Sequence, residues 1–507
     1  MRLLFLFCLP FLMAGPVLAG SPTGDVASAL ESIAADELAD HVNFLASDTL
    51  EGREAGTAGG KAASAYVADH FRRLGLEPAG DAGSYFQEFG EGYRNVLALL
   101  PGRDDDAATD GIVISAHYDH VGRGNRTNSY GPFGQIHNGA DDNASGTAAI
   151  LEIAEALASL DEAPRRPILL ALWDAEEKGL LGSTHWVRHP TLPDLRPAFL
   201  INVDMIGRLR SNTLTVYGVR TATGLRYATS IANMREELEL AFDWQQRRDS
   251  DHLPFFESDV PYLMFHTGLH DDYHRPSDDP DQINVEGLQS VARLMMTVAL
   301  DMAERPEIPG FREQARRENE QLRQRHEQIL KPQPRLGIRW NWKRSAGDPV
   351  LVTAVDPDSA AHRSGLQAGD RIVAIDGMDP TPIADLRPIV HAASRDAMIV
   401  VERGTPPERQ TLEVQLPGKP LPFGLDWIED NAEPDTVIVR YVVPGSTAAR
   451  FGLQPNDRIH VGLALLSIRP EAVDASSERK DREAEQSLVI ERDGRIRVLY
   501  RDDPQPD

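Results

Sequence analysis

The sequence predicts an α/β protein: a mixed, mostly parallel sheet with helices on both faces, followed by two small β-rich domains. Three observations predict this. Short apolar β-type runs alternate with helical stretches from about residue 85 to 303, the pattern of strand–crossover–strand units. Acidic and imidazole side chains stand just beyond several of these runs, where an open α/β sheet has its ligand crevice. Finally, LGIRW (336–340) recurs as FGLDW (423–427), and VDPDSAAHRSGLQAGDRI (355–372) as VVPGSTAARFGLQPNDRI (442–459). Both pairs share one offset of 87 residues, so two copies of one small domain close the chain.

Taken in order, residues 1–20 read as an export signal: Arg2, the apolar run LLFLFCLPFLMAGPVLA, then small residues near Ala19. Pro10 and Pro16 break the run, and it is short for a membrane anchor. A periplasmic or secreted location is therefore expected, and no later stretch is long and apolar enough to span a bilayer. Residues 21–304 form the catalytic-type domain. Within it, 25–76 reads as helical with a break at LEGREAGTAGG, and DDDAATD (104–110) reads as a surface loop. Residues 305–334 are expected to form a linker helix, since FREQARRENEQLRQRHEQIL is charge-dense and KPQP ends it. The repeats then occupy 335–418 and 419–507.

Composition narrows the class. The chain has 507 residues, too many for one ordinary domain, and 41% of them are hydrophobic, enough to bury a real core. Cys8 is the only cysteine, so the exported form would carry no disulfide. A formal net charge of −26 argues against nucleic acid or an anionic membrane as partner.

Five side chains are candidate metal ligands. GIVISAH delivers His117, GADDNASG holds Asp142, RPILLALWDAEE ends in Glu176 and Glu177, PAFLINVD delivers Asp204, and VPYLMFHTG leads into HTGLHDDYHRPSDDPD. That last segment offers His266, His270 and His274, and composition alone does not choose between them. Adjacent carboxylates at a strand end point in different directions, so one of Glu176 and Glu177 can bind an ion while the other takes a proton from an activated water. As an isolated pair they would read as an exposed acidic turn; the apolar strand before them reverses that. Asp142 has two oxygens with which to bridge two cations, while Asp141 or Asn143 serves the turn or caps the next helix. Asp204 follows a fully apolar strand, where a charge is costly unless paired. Asp119 is placed to orient the His117 imidazole, and His120 competes with His117 but is expected outside the ligand set.

AHYDH, GADDNASG, DAEEKGLLGS, NVDMIG and DYHRPSDD, in this order, resemble the metal-site blocks of the zinc-dependent M28 aminopeptidases, over about residues 30–303. LEGREAGTAGG and SDHLPF resemble segments flanking that site. The resemblance implies two Zn2+ per chain: His117 and Asp204 on one, Glu177 and His274 on the other, Asp142 between them, and Glu176 as general base and acid. It also selects His274 among the three histidines, and it implies peptide substrates with a free N-terminus. The insert common in longer members is missing, since YFQEF passes straight to YRNVLALLPG. Ser250, Asp251 and His252 border the site, with a structural role weighing as much as a chemical one.

The repeats resemble PDZ domains. RLGIRW and PFGLDW match a carboxylate-binding loop, which implies capture of polypeptide C-termini at the first copy. In the second, DRIHVGLALL replaces DRIVAIDG, so packing alone is an equal reading. Two other functions stay open: a glutaminyl cyclase-like enzyme with one zinc, and an inactive peptidase fold carrying peptide-binding modules.

Overall fold

The computed structural model describes residues 24–329, 334–460 and 487–501. The expected export signal lies outside them, and no helix among the described residues is long and apolar enough to cross a membrane. The chain divides into two compact units after Glu320, with Asp493–Arg495 grouped with the first.

The first unit is built on a nine-stranded sheet. Its strands are β1 (Glu77–Pro78), β2 (Phe86–Phe89), β3 (Tyr93–Leu100), β4 (Asp110–His117), β5 (Ile168–Trp173), β6 (Arg196–Val203), β7 (Thr213–Tyr217), β8 (Glu239–Phe242) and β9 (Tyr262–His266). They run in the order β1-β3-β5-β4-β6-β9-β7-β8, with β2 also on β3. The central four, β5-β4-β6-β9, are all parallel. The flanks are antiparallel at β3–β5 and β7–β9.

Parallel strands need crossovers, and these place helices on both faces, so the central strands are buried on both sides. That is why they read as unbroken apolar runs. Alternation then sorts their side chains: Ile112, Ile114, Leu170, Ile201 and Phe265 pack with the helices Ala35–Leu45, Gly146–Ala158 and Val285–Glu304. Val113, Leu169, Trp173, Leu200 and Met264 face the opposite way, onto Trp186 and Phe255 from the helices Leu181–Arg188 and His252–Glu257. Because β4, β5, β6 and β9 run the same way, their carboxyl ends open onto one edge.

The helical N-terminal region is realised as Gly24–Ser32, Ala35–Leu45 and Ala58–Arg73. The stretch read as one linker helix is instead a short 3-10 turn, Glu313–Arg316, and a helix at Glu320–His326. Its charges are not all solvated: the Arg312 guanidinium donates to Glu318 (3.1 Å) and to the Arg220 carbonyl (2.6 Å), and Arg220 also pairs with Glu318 (2.8 Å). Phe311 and Ala315 pack into the apolar layer below. These contacts hold the chain in a turn where continuous helix would point Arg312 and Glu318 apart.

The second unit contains two five-stranded sheets, each in sequential strand order: Ile338–Trp340 to Glu408–Gln415, and Leu425–Asp430 to Arg495–Tyr500. Every pairing described within them is antiparallel. The repeat is physical as well as textual. Gly337 and Gly424 both have positive φ, and a Cβ there would lie 2.3 and 2.1 Å from the Cβ of Ser359 and Ser446. Those serines cap the short helices Ala360–Arg363 and Thr447–Arg450. The loop glycine and the capping serine are therefore one steric unit in each copy.

Candidate metal centre

The sheet edge gathers the chemistry. His117 ends β4, Asp174 to Glu177 follow β5, Asp204 follows β6, and the loop after β9 carries His274. Asp142 comes from the turn that precedes the helix Gly146–Ala158. Ala175, Met205 and His274 have left-handed backbone conformations (φ 58°, 55° and 52°), a cost that non-glycine residues accept mainly at functional sites. Each sits where the chain turns sharply across the crevice.

Two groups of donors result. His117, Asp142 and Asp204 form one; Asp142, Glu177, His274 and His120 form the other. Asp142 belongs to both through different atoms. Its Oδ1 is 3.4 Å from His117 Nε2, and its Oδ2 is 3.1 Å from His274 Nε2. Asp204 Oδ1 stands 3.4 Å from His117 Nε2, and Glu177 Oε2 stands 3.1 Å from His274 Nε2. All five sequence-selected residues thus converge, and His274 is the one of the three histidines that does so. His270 turns away to the Asp141 carboxylate at 3.0 Å. His266 remains at the end of β9, where its Nδ1 accepts from the Gly268 N–H.

The turn carrying Asp142 is clamped. Asp278 accepts the backbone N–H groups of Asp141 and Asp142 at 3.0 and 3.1 Å. Asp141 accepts from the Gly207 N–H, and Asn143 Oδ1 accepts from the Gly146 N–H while its Nδ2 donates to the Val203 carbonyl. Asp141 and Asn143 therefore both serve structure. Asp119 acts differently from the expectation: its carbonyl, not its carboxylate, lies nearer His117 Nδ1 (3.2 against 3.8 Å). A carbonyl only accepts, so Nδ1 carries the proton and Nε2 is turned to the carboxylates. The Asp119 carboxylate instead accepts the Glu176 N–H at 3.0 Å, fixing the backbone of the paired glutamates. Asp251 accepts from the Ser183 hydroxyl, and the buried His252 stacks on Tyr262; neither reaches the donor groups.

Electrostatics separate the carboxylates. Burial pushes Glu176 well above the ordinary carboxylate range; His117 opposes this, and Glu177, Asp251 and Asp204 add to it. Burial alone would raise Glu177 too, but hydrogen bonds with His120 and His274 carry it below its usual value. Burial likewise opposes charge on His274, yet Asp142 and Glu177 lift it to about 11. Four carboxylates sharing a pocket with few cations is an arrangement that favours a bound positive charge. Carboxylate oxygens with imidazole nitrogens are the zinc donor set, so the residues present fit such an ion.

Two further residues shape the pocket, and sequence reasoning did not single out the first of them. Arg53 is fully buried, and its guanidinium donates to the carbonyls of Tyr118 (3.0 Å), Leu45 (2.7 Å), Asn138 (2.5 Å) and Gly139 (3.0 Å). Its one visible signal was a cation inside a glycine-rich break. His120, expected outside the ligand set, has Nδ1 2.8 Å from Glu177 Oε1.

The model of Peptidase family M28 matches residues 95–299, which contain all five candidate ligands and Glu176, and that of the PDZ domain matches 351–403. The aminopeptidase YwaD of Bacillus subtilis is 30% identical over 210 residues, covering 39% of this chain and 43% of the relative. Leupeptin-inactivating enzyme 1 of Streptomyces exfoliatus is 27% identical over 221 residues, covering 43% and 45%. The chain thus spans less than half the length of these curated relatives. The solved LapA aminopeptidase of Legionella pneumophila is 22% identical with a TM-score of 0.49, covering 58% of this chain and 79% of its own.

Proposed function

We propose that this chain, which carries an M28 peptidase domain followed by a PDZ domain, is an exported zinc aminopeptidase that uses two zinc ions to remove N-terminal residues from peptides. The observation that carries this reading is the division of the Asp142 carboxylate between two donor groups, with Glu176 beside them. His117 and Asp204 would hold one ion, Glu177 and His274 the other, and Asp142 both. The complete His117–Asp204 group supports two ions over the single-zinc cyclase alternative.

Bound there, the ions would polarise the scissile carbonyl and bring the pKa of an attacking water toward neutrality. Glu176 takes that water's proton as the carbon–oxygen bond forms, then returns it to the nitrogen of the departing peptide. The hydrogen bond from its N–H to Asp119 holds it in place for both transfers. Burial suits the role, because a carboxyl group held above its ordinary range takes a proton more readily than an exposed one. Substrates would be peptides with a free N-terminus, and the first PDZ-like copy would hold polypeptide C-termini near its LGI loop. Release of leucine from a chromogenic amide, abolished by a chelator and restored by zinc, tests this; cleavage indifferent to chelation would refute it.

A further inference from the structure

His120 stands against the metal centre with one nitrogen engaged and the other stranded. Its Nδ1 lies 2.8 Å from Glu177 Oε1 and 3.9 Å from Asp142 Oδ2, close enough to be counted among the donors. Its Nε2 is buried and has no hydrogen-bond partner among the described residues. The residue is held by its neighbours. Gly139 packs on it so closely that a Cβ there would lie 2.4 Å from Cδ2 and 2.6 Å from Cγ. Arg53 takes the Gly139 carbonyl on its guanidinium, and its own carbonyl accepts the His120 N–H.

A histidine that ligates a metal through one nitrogen donates the N–H of the other to an outer acceptor. His117 does this, with Nδ1 on the Asp119 carbonyl. Ligation through His120 Nδ1 would instead leave an orphaned N–H on Nε2 in a dry site, and buried N–H groups without acceptors are rare and costly. A proton on Nδ1 removes that problem, leaves only a lone pair unmatched, and gives the Glu177 carboxylate a donor.

Resting on the two-ion reading above, we propose that His120 is a positioning residue, not a ligand. It donates Nδ1–H to Glu177 Oε1, turning Glu177 Oε2 toward His274 Nε2 as the single oxygen offered to the ion. Gly139 packs against the imidazole, and Arg53 fixes the backbone of both Gly139 and His120.

The test uses the full chain, stripped of metal and titrated with Zn2+ against a chromophoric chelator, then with Co2+ read by its visible absorption. His120→Leu removes the donor; His120→Asn keeps an N–H as many bonds from Cα as Nδ1. We expect His120→Leu to weaken one of two metal equivalents by about 10–100-fold, and His120→Asn to bind close to wild type with the same cobalt spectrum. A His120→Asn protein that loses that equivalent as badly as His120→Leu, with an altered spectrum, makes His120 a ligand and overturns the proposal. So does a His120→Leu protein that binds both ions as the wild type does. If His120→Leu fails to fold, the cobalt spectrum of His120→Asn decides alone. A wild type that takes up no ion at the Glu177 group overturns the two-ion reading and this inference with it.

Discussion

Glu176 and Glu177 are consecutive residues whose carboxyl groups are shifted in opposite directions. Burial pushes the first well above the ordinary range, while hydrogen bonds with His120 and His274 outweigh burial and pull the second below it. Carboxylates separated in this way divide into a proton carrier and a permanent anion. Glu176→Gln is expected to lower kcat by about 100-fold to 10,000-fold while metal content stays at the wild-type level. Retained turnover would remove Glu176 from the proton path, and loss of metal would make it a ligand.

Asp142 spans both donor groups, whereas Asp204 belongs to one. Asp142→Ala is therefore expected to reduce binding of both ions, and Asp204→Ala that of one. Metal content by mass spectrometry after exhaustive dialysis checks this. Equal losses in the two variants would mean that Asp142 does not bridge.

Arg53 is a buried cation whose hydrogen bonds all go to backbone carbonyls, and those carbonyls come from segments that carry or flank the site. Burial pulls it down to about 10, and Asp142, Asp119, Asp278 and Glu177 oppose that, so it stays charged at neutral pH. Arg53→Met would strand three acceptors, the carbonyls of Tyr118, Leu45 and Asn138, each costing on the order of 1–3 kcal/mol, while Gly139 keeps the Ala144 N–H. A large drop in melting temperature is expected, and a smaller one for Arg53→Lys. A wild-type melting temperature in Arg53→Met would show that the carbonyls are satisfied otherwise.

His70 and His252 should each weaken the fold in mild acid. Burial, with help from His41, lowers His70 to about 4, and burial lowers His252 to about 4 as well. Between those values and the ordinary 6.5, the unfolded chain takes up protons that the folded chain refuses. More protons on the unfolded state means that the stability these two histidines contribute rises with pH across this window and is lost as pH falls from about 6.5 toward 4. Asp251 and Asp278, which burial raises to about 7, contribute in the opposite sense. Melting temperatures from pH 7.5 to pH 5 measure the slope against pH, which His70→Leu should make less positive. An unchanged slope in that variant would exclude His70 as a source.

Much of this was legible because the central strands are buried on both faces. GIVISAH, PILLALW and PAFLINV are apolar up to the strand end apart from Ser115 and Asn202, which hydrogen-bond each other, so each strand end, and the residue just past it, could be placed. The flanking strands Thr213–Tyr217 and Glu239–Phe242 were not separated, being short and mixed in polarity. His270 and His274 lie four residues apart, and nothing local says that one turns to Asp141 and the other to Asp142. Arg53 was hidden for a related reason. Its partners are carbonyls at positions 45, 118, 138 and 139, which any residue type supplies and only the fold assembles. The linker was misread because its charge density resembles a solvated helix, while Arg312 and Glu318 in fact pair with each other beside Arg220.

Anomalous X-ray scattering at the zinc edge, from crystals of the zinc-loaded chain, tests the central claim most directly. The account predicts two peaks on either side of the Asp142 carboxylate, one among His117 and Asp204 and the other among Glu177 and His274. A single peak, or zinc bound away from Asp142, would contradict it.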